Sequence, residues 1–338
     1  MTPQLVDLNA DGYQDMVMGT FEGTAFLVEG TKEGFKEPTQ ILDKNGEMVR
    51  ISMYWDLKES EYLYVDRSME DEPYIKEHHM TSTYVVDWDD DGDLDLLLGA
   101  YEGALYLCLN EGTKEEPVFA EKNVQVKANG EHLTIKDGLA TAIVCDWNAD
   151  GLFDIMCGGS KGCVYYYENV GDQGKPKFAA ATKLIDSLMS QPDSSDYVAS
   201  RMVPTVNGMP ACPGTGFHID AVDYDKDGDL DLLIGAQSYY QQKEKVLTDD
   251  EEEELKSITA KIAEHQKEMQ AMLEGETDQD SVKELFKTEE FKDLQKKLSP
   301  LHKRREELKP SPRPANHVWL FRNKTESGAG EATYTSAN

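Results

Sequence analysis

Four stretches of this 338-residue chain can be laid over one another, and they constrain its fold more than any other feature. They are VDLNADGYQDMVMG (residues 6–19), VDWDDDGDLDLLLG (86–99), CDWNADGLFDIMCG (145–158) and VDYDKDGDLDLLIG (222–235). Each reads as an apolar run, then D-x-[DN]-x-D-G-x-x-D, then a second apolar run that closes on glycine. Self-similarity of this kind points to a repeat architecture, in which each unit buries its faces against its neighbours.

The spacing has a chemical reason. Calcium takes six to eight hard oxygen ligands. Side chains at positions one, three, five and nine converge only where the backbone curls tightly, and the glycine at position six permits that curl. The candidate side-chain ligands are Asp7, Asn9, Asp11 and Asp15 in the first loop and Asp87, Asp89, Asp91 and Asp95 in the second. The third loop offers Asp146, Asn148, Asp150 and Asp154, and the fourth Asp223, Asp225, Asp227 and Asp231. Position seven contributes its carbonyl, so its side chain varies: Tyr13, Asp93, Leu152 and Asp229. Up to four Ca2+ sites follow. An EF-hand loop would place a bidentate Glu at position twelve and a helix after it. Here position twelve is Met18, Leu98, Cys157 or Ile234, and an apolar strand follows, so the loops are expected to join strands. An ordinary solvated turn also uses Asp and Gly, but crowded carboxylates repel without a counter-ion, and four copies weigh against that reading.

The similarity continues past each loop. A G-x-x-x-G turn follows (Gly19 to Gly23, Gly99 to Gly103, Gly158 to Gly162), then an aromatic strand, a turn, a further strand and an Asn-Gly pair at 45–46, 129–130 and 207–208. Asn-Gly is a strong hairpin signal. Each unit is therefore expected to be about four antiparallel strands, and such units stack radially as β-propeller blades. Trp88, Trp147 and Tyr224 are expected to pack between blades. Residues 52–80 hold two strand-like runs, which read as a degenerate blade without a metal loop.

These residues resemble FG-GAP/VCBS repeats, the blades of integrin alpha-subunit heads and of many bacterial surface and secreted proteins. The resemblance covers residues 3–236 and resumes at 316–323. It implies an all-β propeller with calcium in the loops named above, and a protein or glycan as the ligand. The repeats start at 7, 87, 146 and 223, an uneven spacing that leaves room for insertions.

The largest insertion is 244–312. Thr248 and Glu251 form a capping box. Leu255, Ile258, Ile262, His265, Met269 and Met272 step by three and four, and Phe291, Leu294, Leu298, Leu301, Arg305 and Leu308 do the same after the polar stretch at 275–281. Two antiparallel helices are expected, with Pro300 kinking the second and Pro310, Pro312 and Pro314 ending it. The seam fits a self-contained hairpin, or an arm for a partner. Residues 313–323 return to the last blade, and 324–338 read as a polar tail.

Composition bounds the function. Asp plus Glu is 65 against 34 Lys plus Arg, a net charge of -31, which excludes nucleic acid and anionic membranes as partners and favours cations. No apolar run is long enough for membrane insertion. Met1-Thr2-Pro3-Gln4 is no signal peptide and the first repeat starts at once, so the chain reads as a processed or partial form. The five cysteines include no CxxC; Cys157 and Cys163 flank one hairpin and read equally as a disulfide or as free thiols. Gly158-Gly-Ser-Lys-Gly162 matches a nucleophile elbow, but the slot is a strand-to-strand turn in the other repeats. Asn323-Lys-Thr325 is a glycosylation sequon.

The expected function is a calcium-stabilised, non-catalytic binding or adhesion module at the cell surface, in the periplasm or outside the cell, where calcium is millimolar. The alternatives are the propeller domain of a carbohydrate-active enzyme such as a polysaccharide lyase, and a structural segment of a larger surface protein.

Overall fold

The computed structural model describes residues 3–20, 23–56, 61–65, 77–78, 82–191, 194–241, 246–273, 283, 285–323 and 333–336, with backbone alone at 52–56, 61–65, 77–78 and 333–336. It is mostly β, with two helices. The described residues fall into two compact units, one of residues 1–204, 211–238 and 315–338, the other of 205–210 and 239–314.

The first unit contains four four-stranded antiparallel sheets, each with its strands in chain order. Sheet 1 is β1 (Gln4–Val6), β2 (Asp15–Gly19), β3 (Ala25–Val28) and β4 (Thr39–Gln40). Sheet 2 is β5 (Ser82–Val86), β6 (Asp95–Gly99), β7 (Leu105–Cys108) and β8 (Val124–Gln125). Sheet 3 is β9 (Thr141–Cys145), β10 (Asp154–Gly158), β11 (Val164–Tyr167) and β12 (Thr182–Ile185). Sheet 4 is β13 (Thr215–Val222), β14 (Asp231–Tyr240), β15 (Arg313–Arg322) and β16 (Thr333–Ser336), so a strand lies within the stretch read as a tail. The first two strands pair in one register throughout: Val6 faces Asp15, Val86 faces Asp95, Cys145 faces Asp154 and Val222 faces Asp231.

Successive sheets share cores. Val17 of sheet 1, with Ile41 and Ile51 of its flanking segments, packs with Leu96, Leu98 and Tyr106 of sheet 2. Leu97, Leu105 and Ile135 of sheet 2 and its flanking turns meet Ile155, Cys157 and Phe178 of sheet 3. Ile143, Met156 and Val164 meet Phe217, Leu232 and Ile234 of sheet 4. Burial follows position in this series. Every residue of β6 and of β10 is buried, because a sheet lies on each side. In β2 and β14 buried residues alternate with half-buried ones, as in strands covered on one face.

The first strands of all four sheets line one cavity of about 640 Å³, to which Gln4, Tyr84, Ile143 and Asp220 contribute. Backbone hydrogen bonds also tie each sheet to the next: Lys44 N–H donates to the Phe119 carbonyl and Asn129 N–H to that of Phe178. Trp88 packs against Phe153 and Phe178, with ring centroids 5.5 and 5.7 Å apart, and Trp147 joins the core between sheets 3 and 4. Tyr224 differs: it is 54% exposed. The two runs within 52–80 are strands, Ser52–Asp56 and Glu61–Val65, but they sit in a three-stranded sheet with Glu77–His78. Sheets 1 and 2 pack on each other directly, so this small sheet is not a blade between them.

The Asn-Gly pairs at 129–130 and 207–208 make tight hairpins with both residues at positive φ, the geometry of a type I′ turn. At 45–46 only Gly46 has positive φ.

The second unit holds α1 (Asp249–Leu273) and α2 (Glu289–Leu308). Thr248 and Glu251 cap α1 reciprocally, each side chain accepting from the other's N–H at 3.3 and 3.1 Å. Thr288 caps α2 through the N–H of Phe291. Ile258 and Ile262 of α1 meet Leu298 and Leu308 of α2, and Glu254 near the start of α1 pairs with Arg304 near the end of α2 at 2.8 Å, which fits antiparallel helices. The helix α2 continues through Pro300. No helix among the described residues is long and apolar enough to cross a membrane.

Candidate metal centres

All four aspartate loops join the first strand of a sheet to its second, as the sequence pattern predicts. Their hydrogen bonding is nearly the same each time. The position-one carboxylate accepts the N–H groups of positions five and six: Asp7 from Asp11 and Gly12 at 3.0 and 2.9 Å, Asp87 from Asp91 and Gly92 at 3.1 Å each. Asp146 does so with Asp150 and Gly151, and Asp223 with Asp227 and Gly228. The position-five carboxylate then accepts the N–H of position seven, from Tyr13, Asp93, Leu152 and Asp229 in turn. These bonds wind the loop inward.

Glycine alone does not supply the curl. Gly12, Gly92, Gly151 and Gly228 do have positive φ, between 89° and 101°. So do the residues at position four, Ala10, Asp90, Ala149 and Lys226, with φ between 53° and 62°. These side chains share no property that would announce a left-handed backbone, so nothing in the spacing marks them.

The winding brings carboxylates together. One oxygen from each of Asp87, Asp89 and Asp91 lies within 4.8 Å of the others, and the same holds for Asp223, Asp225 and Asp227. In the first and third loops position three is an amide, and it donates to the position-five carboxylate: Asn9 to Asp11 at 3.4 Å and Asn148 to Asp150 at 3.0 Å. Those two loops so carry an internal donor where the other two carry a third negative charge.

Position nine behaves differently from one, three and five. Asp15, Asp95, Asp154 and Asp231 are at most 1% exposed. One oxygen of each accepts the N–H of position two: Leu8, Trp88, Trp147 or Tyr224. The other accepts a backbone N–H from beyond the third strand: Gly30, Asn110, Asn169 or Asn323. This aspartate bolts the loop to the turn that follows the third strand. Asn110 and Asn169 extend the bolt, because each Oδ1 accepts two further N–H groups. The spacing alone did not reveal this role; the recurring Asn after the aromatic strand was its only trace. Asn323, the sequon asparagine, occupies the same slot, and residues 324 and 325 lie outside the described residues.

The second loop shows the electrostatic cost of the arrangement. Burial, and then the charges of Asp91, Asp89 and Asp87, push Asp93 up to about 6. Its Oδ1 is buried with no hydrogen-bond partner, and the residue is 6% exposed. Burial and then Asp91 and Asp87 raise Asp89 as well. Burial lifts Asp95 to about 7 against the two N–H groups that hold it charged. A set of hard oxygens, negatively charged and mutually repelling, suits a divalent cation of the calcium class.

The remaining candidates resolve simply. All five cysteines are free. Cys157 is fully buried and Cys163 Sγ lies 3.8 Å from Asp186, so the two do not form a disulfide. Ser160 sits in a strand-to-strand turn with its hydroxyl donating to the Asp137 carbonyl, so it is not set on a nucleophile elbow. No protein-family model matches the chain, and neither does any curated protein.

Proposed function

We propose that the four sheets are blades of a β-propeller of the FG-GAP/VCBS kind, pinned at their corners by calcium, and that the chain is a non-catalytic module that binds a protein or glycan outside the cytosol. The observation that carries the reading is the convergence of Asp87, Asp89 and Asp91, and of Asp223, Asp225 and Asp227, at equivalent strand-to-strand corners. The common cavity lined by the four first strands and the sheet-to-sheet cores support the radial arrangement. The residues fit the ion. Side chains at positions one, three and five would hold it together with the position-seven carbonyl, while position nine holds the loop. The second and fourth loops are the tight sites, since the first and third spend a ligand position on an amide that donates to its neighbour. Recognition is assigned to the turns away from these loops, where Tyr101 presents an aromatic ring that is 53% exposed.

Metal analysis of the purified chain, with melts in calcium and in chelator, tests this. An ion at a hundred times its dissociation constant stabilises the folded state by about 2.7 kcal/mol per site. Two bound ions per chain and a melting temperature several degrees higher in calcium are expected. Identical melts, or a chain free of divalent metal after dialysis against calcium, would reject the reading. A glycan and protein array probed in calcium then names the ligand class, with Tyr101→Ala expected to weaken the hit.

A further inference from the structure

The helical unit carries a groove beside its own core. The buried seam between α1 and α2 is Ile258, Ile262, Leu298 and Leu308. Next to that seam α1 turns a second face outward, made of Thr259, Ala260 and Ala263, all exposed. With Leu255 of α1, and with Pro310 and Pro312 from the segment after α2, these residues line a groove of about 700 Å³. An adjoining hollow of about 450 Å³ shares Leu255, Lys256, Lys309 and Pro310 with it and reaches Val246, which is 93% exposed.

The proline wall of the groove is fixed in place. The Glu306 carboxylate accepts the N–H and the hydroxyl of Ser311, at 3.0 and 2.7 Å, and these bonds hold its carboxyl below the usual carboxylate range. Gln241 Nε2 donates to the Pro310 carbonyl at 2.9 Å. A wall held this way needs little further ordering when something binds against it. The charge around the groove runs against the rest of the chain. Lys256, Arg305 and Lys309 line it and no carboxylate does, in a chain of net charge -31. Glu252 enters only the adjoining hollow. The neighbouring Arg304 is spent on Glu254 and Glu307, at 2.8 and 3.0 Å. Among the described residues, Lys256, Arg305 and Lys309 make no ion pair of their own.

We propose that this groove binds an acidic amphipathic helix of another protein. Its apolar side chains would lie on Ala260, Ala263 and the two prolines, and its carboxylates would meet Lys256, Arg305 and Lys309. An apolar floor of this kind is read by anchors spaced three and four apart on one helix face. The small side chains of α1 let a further helix approach to the near end of the usual interaxial range, about 8–10 Å. The three cations then select an acidic sequence, fix its register and speed its encounter. A second copy of the chain is the poorer occupant, because it would bring a net charge of -31 to a molecule of the same charge, whereas a short segment brings only a few charges. The surface is separate from the turn that carries Tyr101, and it owes nothing to calcium.

A display library of random peptides built from Leu, Ala, Glu, Lys and Ser, panned on the full chain in calcium and in chelator, tests the proposal. Enrichment of sequences with apolar residues three and four apart and Glu between them is expected in both. A synthetic copy of the leading sequence should bind by fluorescence anisotropy, gain helical circular dichroism as it binds, and weaken as salt is raised. Arg305→Gln and Lys309→Gln together should weaken it about tenfold. Ala263→Arg should abolish binding although it adds a cation, because its side chain fills the groove. A peptide that binds these variants as tightly as the wild type, while they keep their helical circular dichroism, overturns the proposal. So does a library that enriches nothing, or only basic or neutral sequences, and so does binding that vanishes in chelator. Sedimentation addresses the other occupant. A chain that associates with itself, and stops doing so when Arg305 and Lys309 are both replaced, fills the groove with its own copy and overturns the proposal as well.

Discussion

At the scale of single residues, the four ligand positions of a loop divide into two jobs. Positions one and five accept N–H groups inside the loop and, with position three, gather charge, whereas position nine spends both oxygens on N–H groups that tie the loop to the turn after the third strand. The division predicts opposite mutant behaviour. In chelator, Asp95→Ala strands the N–H groups of Trp88 and Asn110, at roughly 1–3 kcal/mol for each buried donor. Asp89→Ala, at an exposed position of the same triad, should shift stability by no more than about 0.5 kcal/mol in chelator, yet remove most of the gain from calcium. Denaturant melts of both variants with and without calcium check this, and equal losses in chelator would refute the division. A pH dependence follows from the same residues. Asp93 and Asp95 are lifted to about 6 and about 7, above the range of an unfolded aspartate near 3.9. The folded chain therefore binds protons that the unfolded chain has released, and this stability is present at acid pH and lost as pH rises through about 7. In chelator the melting temperature should fall between about pH 4 and pH 7, and calcium should flatten the slope by replacing the proton as counter-charge. A melting temperature that climbs with pH in chelator would contradict the cause assigned here.

Elements were legible where period and punctuation agreed. The corner aspartates, the apolar runs beside them and the Asn-Gly turns at 129–130 and 207–208 mark strands and hairpins, because each demands a backbone few residues tolerate. The capping box at Thr248 and the three-four steps of Ile258, Ile262, Leu294 and Leu298 mark the helices in the same local way. Less legible were features that depend on distant partners. The strand Thr333–Ser336 is drawn from a polar stretch by pairing with β15, and no apolar alternation signals it. The small sheet at 52–78 has strand-like composition, but only the direct packing of sheets 1 and 2 shows that it is no blade. The helical unit has its own core of Ile258, Ile262, Leu298 and Leu308. Replacing 244–312 by a short turn should therefore preserve the β circular dichroism while removing the helical signal. Loss of both together would show that the helices complete the folding of the sheets.

For the whole molecule, the order of chemical locking follows from a difference in reach. Asp15, Asp95 and Asp154 each find their second N–H donor 15 residues downstream, whereas Asp231 finds its donor 92 residues downstream. The first three corners can be fastened as soon as a short length of chain clears the ribosome. The fourth cannot be fastened until the whole helical arm has been synthesised and residue 323 has emerged. Throughout that interval the nascent chain holds an acidic corner with one oxygen unclaimed and a two-stranded ribbon with a bare edge, the kind of exposed template that invites mispairing. The place where the arm interrupts the sheet thus sets the last step of biogenesis, and chaperone protection would matter most there.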